Sequence, residues 1–379
     1  MDAQERHERN WRRVYRLLHG LICARFCLDA EPLRPEGPCL IVSNHVTDFD
    51  PLLLSMSFPD TALYFVASEH IFRQGLLSRL LYALMEPIAR RKGSTASDTV
   101  KAILRHLKDG HAVCLFAEGD ASWDGRPVGS FPATGKLART SGASLLTYRL
   151  EGAYLSKPRW GRGIRRGHVK GRAVRLYSPE ELRAMKPAEI TAAIDRDIGE
   201  NAWTRQREEA VRYRGRHPAQ WLETALYCCP RCRRLGTLRS KGEQLFCDCG
   251  LTIRYTETGF FDPPEPFATL ADWEDWQREA LAGLVAAGKD ALFSDAGLTL
   301  VEIESGHRER RLGTGTLTQY ADRTVFRTHS FPLAEIRSMA MVQTRRLLFS
   351  FDERYFELRA DRRVNLRKYL EAWKIQTQE

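Results

Sequence analysis

The residues of this sequence that are most clearly suited to acid–base chemistry are a histidine and an aspartate five positions apart, His45 and Asp50. They follow an apolar run, Cys39–Ser43, which predicts a buried strand. Ligand sites of open α/β sheets lie at the carboxyl ends of strands. Across a strand-to-helix turn, the Asp50 carboxylate can accept from one imidazole nitrogen and leave the other free to take a proton. By spacing alone, Asp48 is a competing partner.

A second apolar stretch, 112–117, predicts another strand, and it ends in Glu118 and Gly119. If the two strands belong to one parallel sheet, their carboxyl ends lie on the same edge. The sequence therefore predicts that a carboxylate and a flexible glycine turn lie near His45.

Short apolar strands alternate with helical stretches from Pro38 to about residue 210. This alternation predicts an α/β domain with a mostly parallel sheet flanked by helices. The predicted strands are 39–43, 63–67, 112–117, 144–150 and 169–176. The predicted helices are one that begins at about Pro51, 72–84, 95–108, 135–141 and two between 179 and 209.

After residue 291 the hydrophobic pattern changes and predicts short strands, followed by a closing helix at 364–376. This pattern predicts a small antiparallel barrel or sandwich, and its layout resembles a pleckstrin-homology-like (PH-like) unit. We divide the chain into an N-terminal amphipathic helix (1–28), the α/β domain (29–220), a cysteine-bearing module (221–262), a linker helix (263–290) and the C-terminal β domain (291–379).

Four cysteines of the module have metal-ligand spacing: Cys229, Cys232, Cys247 and Cys249. The pattern resembles a zinc ribbon, in which four thiolates complete a tetrahedral structural Zn²⁺ site with no open position. Cys228 is an alternative ligand, and a set of reduced cysteines without metal is the other interpretation. Aromatic residues do not interleave the nearby arginines, so we expect a folding or docking role and no specific nucleic-acid partner.

The net charge of +10 favours anionic partners: phospholipid surfaces, nucleic acid or phosphorylated substrates. A predicted helix at 11–28 has a basic and an apolar face, so it can lie in a lipid interface or pack on a core. No apolar run reaches the roughly 18 residues of a transmembrane helix, and the charged N-terminus lacks a signal-peptide pattern. We therefore expect a cytoplasmic protein that is peripheral to the inner face of the membrane.

Three short blocks carry a resemblance to a known family. In this chain they are Asn44-His45-x4-Asp50, the Ile-x-Arg stretch Ile88-Ala89-Arg90, and Phe116-Ala117-Glu118-Gly119, which corresponds to a Phe-Pro-Glu-Gly block in that family. The chain resembles the glycerolipid acyltransferase family of the 1-acylglycerol-3-phosphate acyltransferase type over about residues 10–210. The stretch 150–160 looks like a bacterial subfamily with a cysteine-rich insert. The matching residues are Asn44, His45 and Asp50; Phe116, Ala117, Glu118 and Gly119; and Ile88, Arg90 and Arg91.

The resemblance implies transfer of a fatty acyl group from acyl-CoA or acyl carrier protein to a lysophospholipid or glycerol-phosphate hydroxyl. His45 would be the general base and Asp50 its orienting carboxylate, with a backbone donor at Gly119 for the oxyanion. The residues implied in substrate binding are Asn44, Arg90, Arg91, Glu118 and Gly119.

The sequence departs from the third block of the family at two positions, where Ala117 and Ala121 replace the usual proline and arginine. Loss of that arginine leaves a non-phosphate acceptor open as an alternative. A non-catalytic lipid- or nucleic-acid-binding protein with a zinc ribbon is the other alternative.

Overall fold

The computed structural model describes residues 3–68, 87–90, 96–288, 290–304, 308–360 and 364–377. The chain divides into two compact units, residues 1–159 with 163–215 and residues 160–162 with 216–379. The helix predicted at 72–84 lies outside the described residues, and the finer division into five segments stays a prediction. Across the described ranges, no helix combines the length and apolarity needed to cross a bilayer.

A seven-stranded sheet forms the centre of the first unit, in the order β1-β7-β6-β2-β5-β3-β4. The β6–β7 pair is antiparallel and every other pair is parallel, which confirms the predicted α/β domain with a mostly parallel sheet. The strands are β1 (Leu28–Ala30), β2 (Cys39–Ser43), β3 (Leu63–Ser68), β4 (Ile88–Arg90), β5 (Ala112–Phe116), β6 (Ser144–Glu151) and β7 (Val169–Tyr177). The helices are α1 (Ala3–Phe26), α2 (Asp50–Ser55), α3 (Ala96–Lys108), α4 (Ala133–Ser141), α5 (Ala153–Ser156), α6 (Pro179–Ala184), α7 (Pro187–Ile198) and α8 (Ala202–Glu209).

Strand β2 lies between β5 and β6 at the middle of this sheet. All five of its residues are buried. A strand covered on both faces needs apolar side chains on both, so its sequence is continuously apolar rather than alternating. This is why the bounds of β2 were predicted correctly from composition alone.

The segment 179–209 contains three helices instead of the two predicted. The first ends before Met185, and the backbone of Met185 and Lys186 is extended. A residue before proline avoids the helical region because of contact with the proline ring. Pro187 then begins the second helix, where its missing N–H costs nothing.

The second unit contains two antiparallel sheets. Four strands of the cysteine module pair in the order β11-β10-β9-β8, and seven C-terminal strands pair in the order β15-β14-β13-β12-β18-β17-β16. Its strands are β8 (Leu238–Lys241), β9 (Gln244–Cys247), β10 (Thr252–Tyr255), β11 (Phe261–Asp262), β12 (Phe293–Ile303), β13 (Glu309–Gln319), β14 (Arg323–Phe326), β15 (His329–Pro332), β16 (Ser338–Val342), β17 (Arg346–Phe351) and β18 (Arg354–Ala360); its helices are α9 (Leu270–Ala287) and α10 (Arg367–Thr377).

Candidate active site

The register of the central strands determines which loops meet at the carboxyl edge of the sheet. Ser43, the last residue of β2, pairs with Phe116 of β5 and with Tyr148 of β6. His45 and Glu118 therefore each lie two residues beyond a paired position on adjacent strands. Residues that are 73 positions apart in sequence become neighbours for this reason.

His45 and Asp50 form a hydrogen-bonded pair, with 2.7 Å between His45 Nδ1 and Asp50 Oδ2. The same carboxylate oxygen accepts from the backbone N–H groups of Val46, at 2.6 Å, and Thr47, at 2.9 Å. Asp50 is fully buried at the first residue of α2, where the helix dipole favours a negative charge. Asp48 is exposed, so the geometry selects Asp50 as the partner of His45.

The contact with Asp50 fixes the orientation of the His45 imidazole. Burial disfavours its charged form, but the hydrogen bond and charge of Asp50 outweigh burial and raise the pKa of His45 above 6.5. The Phe116 ring stacks on the imidazole, with 4.7 Å between ring centroids. The side chain of His45 is 24% exposed, and no described residue forms a hydrogen bond with its Nε2.

Asn44 ties the end of β2 to the end of β6. Its Nδ2 donates to the carbonyl of Leu150 at 2.9 Å, and its Oδ1 accepts from the N–H of Leu150 at 2.8 Å. The side chain is buried and both of its polar atoms bond to the backbone. Its predicted contact with substrate stays a prediction; the geometry supports a role in holding the histidine loop in place.

Glu118 clamps the same loop from the side of β5. One carboxylate oxygen accepts the N–H of His45 at 2.5 Å and the other accepts the N–H of Val128 at 3.1 Å. Burial raises the pKa of Glu118 to about 7, although both amide hydrogen bonds oppose this shift. Like that of Asn44, its predicted substrate contact stays a prediction, because both oxygens already bond to protein amides.

Gly119 makes a turn that only glycine can make without strain. Its φ is +75°, and a Cβ at this position would lie 2.2 Å from the ring of Phe131. The N–H of Gly119 points to the carbonyl of Phe116 at 3.3 Å. This N–H, predicted to be an oxyanion donor, therefore serves the turn itself in this structure.

The remaining predicted substrate ligands belong to the segment after β3. Arg90 is the last residue of β4, but its side chain lies outside the described part of the structure, as does Arg91 entirely. Their predicted contact with the acceptor stays a prediction.

A buried arginine that follows β6 in sequence also reaches this edge of the sheet. Arg159 forms an ion pair with Asp120 at 2.7 Å, donates to the carbonyl of Ala121 at 2.8 Å, and stacks over the ring of Trp123. In the sequence, Arg159 is one of several arginines and lysines between residues 157 and 175. Nothing in the sequence distinguishes Arg159 from these other cations, so sequence reasoning did not identify it as a residue of this site.

The four predicted metal ligands of the second unit converge. The sulfurs of Cys229, Cys232, Cys247 and Cys249 all lie within 4.8 Å of one another. Sulfurs around a tetrahedral zinc with bonds near 2.3 Å lie about 3.8 Å apart, and two of the pairs here measure 3.6 and 3.8 Å. The sulfur of Cys228 contacts the carbonyl of Arg233 instead and is not part of this group.

Comparisons with known proteins give two findings. Residues 25–150 match the family model described as Acyltransferase. Among solved structures, the chain is similar to the crystal structure of the 1-acyl-sn-glycerophosphate (LPA) acyltransferase, PlsC, from Thermotoga maritima. That similarity has 16% identity and a TM-score of 0.43, and covers 52% of this chain and 82% of the other.

Proposed function

We propose that the protein, whose residues 25–150 match the acyltransferase family model, transfers a fatty acyl group to the hydroxyl of a lysophospholipid or glycerol-phosphate-type acceptor. The donor is acyl-CoA or acyl carrier protein. The match to a family model described as Acyltransferase supports an enzyme, so the alternative of a non-catalytic binding protein is set aside. A non-phosphate acceptor remains the second candidate, because Ala121 stands where the resemblance implies an arginine.

The observation that carries this proposal is the 2.7 Å contact between His45 Nδ1 and Asp50. In the proposed reaction, the acceptor hydroxyl gives its proton to His45 Nε2 while its oxygen attacks the thioester carbonyl. The tetrahedral intermediate expels the thiolate, which takes the proton back from the imidazolium. The buried carboxylate of Asp50 stabilises the imidazolium between these two transfers.

The proposal is tested by giving the purified full chain radiolabelled acyl-CoA or acyl carrier protein with a panel of acceptors. The panel contains lysophosphatidate, glycerol 3-phosphate, other lysophospholipids, monoacylglycerol and an amine acceptor. We expect an acylated lysophospholipid or glycerol phosphate as the main product. Acylation of the phosphate-free acceptors alone would favour the second candidate, and no product from any acceptor would contradict both.

We also propose that the four-cysteine group binds a structural Zn²⁺ ion. The donor set fits, since four thiolates with near-tetrahedral separations leave no position for a substrate. We expect about one zinc per purified chain by elemental analysis, and loss of most of it in Cys229→Ser and Cys247→Ser. Cys228→Ser is the matched control and should keep its zinc, because that sulfur lies outside the group. Equal zinc content in all four proteins would contradict this site.

We propose, further, that α1 attaches the protein to an anionic membrane surface. One face of α1 packs on the unit through Trp11, whose Nε1 donates to the carbonyl of Phe58. The opposite face exposes Leu17 (78%) and Leu21 (67%), one turn apart, beside the exposed Arg13 and Arg16. Exposed leucines flanked by arginines are typical of helices that lie in a lipid interface.

This attachment is tested by cosedimentation with vesicles that contain anionic phospholipid. We expect the Leu17→Ser/Leu21→Ser double variant to partition into the vesicles at least about a hundredfold more weakly than the wild type, since each leucine buried in lipid contributes roughly 1.5–3 kcal/mol. Leu176→Ser removes another exposed leucine, on β7, and should bind as the wild type does. Unchanged binding of the double variant would contradict the role of α1.

A further inference from the structure

Arg159 is a buried arginine whose guanidinium group is only partly used by the protein. It is 8% exposed. Its Nη1 donates to both Asp120 and the carbonyl of Ala121. No described residue accepts a hydrogen bond from Nε, which is buried, or from Nη2. A buried charged donor without an acceptor is costly, and a bound ligand can remove that cost.

Arg159 and the backbone of His45 both form hydrogen bonds with the same peptide group, Ala121–Ser122. The carbonyl of the Ala121–Ser122 peptide accepts from Arg159, and the N–H of the same peptide donates to the carbonyl of His45 at 2.9 Å. The charges of Asp120 and Arg159 also reach the imidazole, where the former raises and the latter lowers the pKa of His45. The guanidinium of Arg159 therefore lies near the His45 loop and within electrostatic reach of the imidazole.

The unused edge of Arg159 has the shape that binds oxyanions. Nε–H and Nη2–H point in parallel from one side of the planar guanidinium, which matches two oxygens of a phosphate group. The face of the group rests on Trp123, 4.2 Å from the ring centroid, and Asp120 holds the opposite side. The side chain is thus held in one orientation before a ligand arrives, which reduces the entropy lost on binding.

We propose that Arg159 binds a phosphate group of a substrate through its Nε–Nη2 edge, beside His45. This inference rests on the proposed acyl transfer, whose substrates carry phosphate in two places: the acceptor headgroup and the coenzyme A donor. Arg159 would then supply, from a different part of the chain, the cation that Ala121 cannot provide.

Binding is measured without any acyl transfer, by calorimetric titration of the full chain with glycerol 3-phosphate and, separately, with coenzyme A. We expect Arg159→Gln to raise the Kd of at least one probe about tenfold or more, since hydrogen bonds to charged groups contribute roughly 1.5–3 kcal/mol. Arg149→Gln removes another partly buried, carboxylate-paired arginine and should leave Kd unchanged. The proposal is overturned if the wild type binds neither probe or if both variants weaken binding equally.

Kinetics identify which phosphate is bound. If it is the acceptor headgroup, Arg159→Gln raises KM for lysophosphatidate and leaves kcat/KM for monoacylglycerol within about twofold. If it is the donor, KM rises for acyl-CoA and not for acyl-pantetheine, which lacks the nucleotide phosphates. Arg159→Lys keeps the charge but loses the two-donor edge, so it should recover only part of the binding.

Two further outcomes separate the possible failures. A lower kcat with every substrate, including those without phosphate, would mean that Arg159 only supports the loop, and the proposal would fail. Phosphate binding that depends on Arg159 in a protein without acyl transfer would contradict the proposed function while the anion site stands.

Discussion

Replacement of His45 by alanine is expected to lower kcat/KM for acyl transfer by roughly 10²–10⁴-fold, the usual contribution of a general base. The variant removes Nε2, which takes the proton of the acceptor hydroxyl in the proposed reaction. The backbone N–H of His45 still bonds to Glu118, so the loop should keep its position. Initial rates with labelled acyl donor and the best acceptor of the panel measure the effect.

The matched control for this prediction is His329→Ala, which removes a histidine from β15 in the second unit. It should retain the wild-type rate within about twofold, because it removes a histidine that makes no contact with the His45 loop among the described hydrogen bonds. Circular dichroism and urea unfolding of both variants check that lost activity does not reflect lost structure. A His45→Ala protein that is folded and turns over at the wild-type rate would refute its role as base.

Replacement of Asp50 by asparagine is expected to lower kcat/KM by about 10²–10⁴-fold, because the amide favours the wrong tautomer of the imidazole. The pH dependence should also change. In the wild type, activity should rise with pH as His45 loses its proton. The negative charge of Asp50 raises the pKa of His45 above its ordinary value. Without that negative charge the pKa falls, so the remaining activity should reach its plateau at a lower pH.

The informative comparison is Asp48→Asn, since Asp48 is exposed and two residues from Asp50. This variant should keep both the rate and the midpoint of the wild-type pH profile. The assignment fails if the two variants behave alike, or if Asp50→Asn retains the wild-type midpoint. Both profiles are measured as kcat/KM, which reports the ionisation of the free enzyme.

Local sequence features predicted the structure correctly where it depends on residues that are neighbours in the chain. The bounds of β2 follow from an uninterrupted apolar run, and the five-residue spacing of His45 and Asp50 fits one strand-to-helix turn. Strand β16, Ser338–Val342, was not predicted, because its methionines and alanine favour helices when read alone. It is a strand because each of its residues pairs with β17, and such pairing overrides intrinsic propensity.

The four cysteines illustrate an intermediate case. Their spacing predicted two paired turns, and the structure brings all four sulfurs together. The spacing left the role of Cys228 open, because adjacent cysteines are equivalent in a pattern. Its contact with Arg233 separates it from the group, and that contact depends on the three-dimensional path of the turn.

The sequence by itself predicted the pairing of His45 with a nearby carboxylate, because the two residues lie within one strand-to-helix turn of the chain. Only the tertiary structure selected Asp50 over Asp48, since burial and the amides of Val46 and Thr47 act on one of them alone. Only the tertiary structure, likewise, brought Arg159 to the edge of the sheet where the sequence had predicted Glu118. The contacts of Arg159 with Asp120 and Ala121 follow from packing between segments that are distant in the chain, and spacing along the chain carries no information about them.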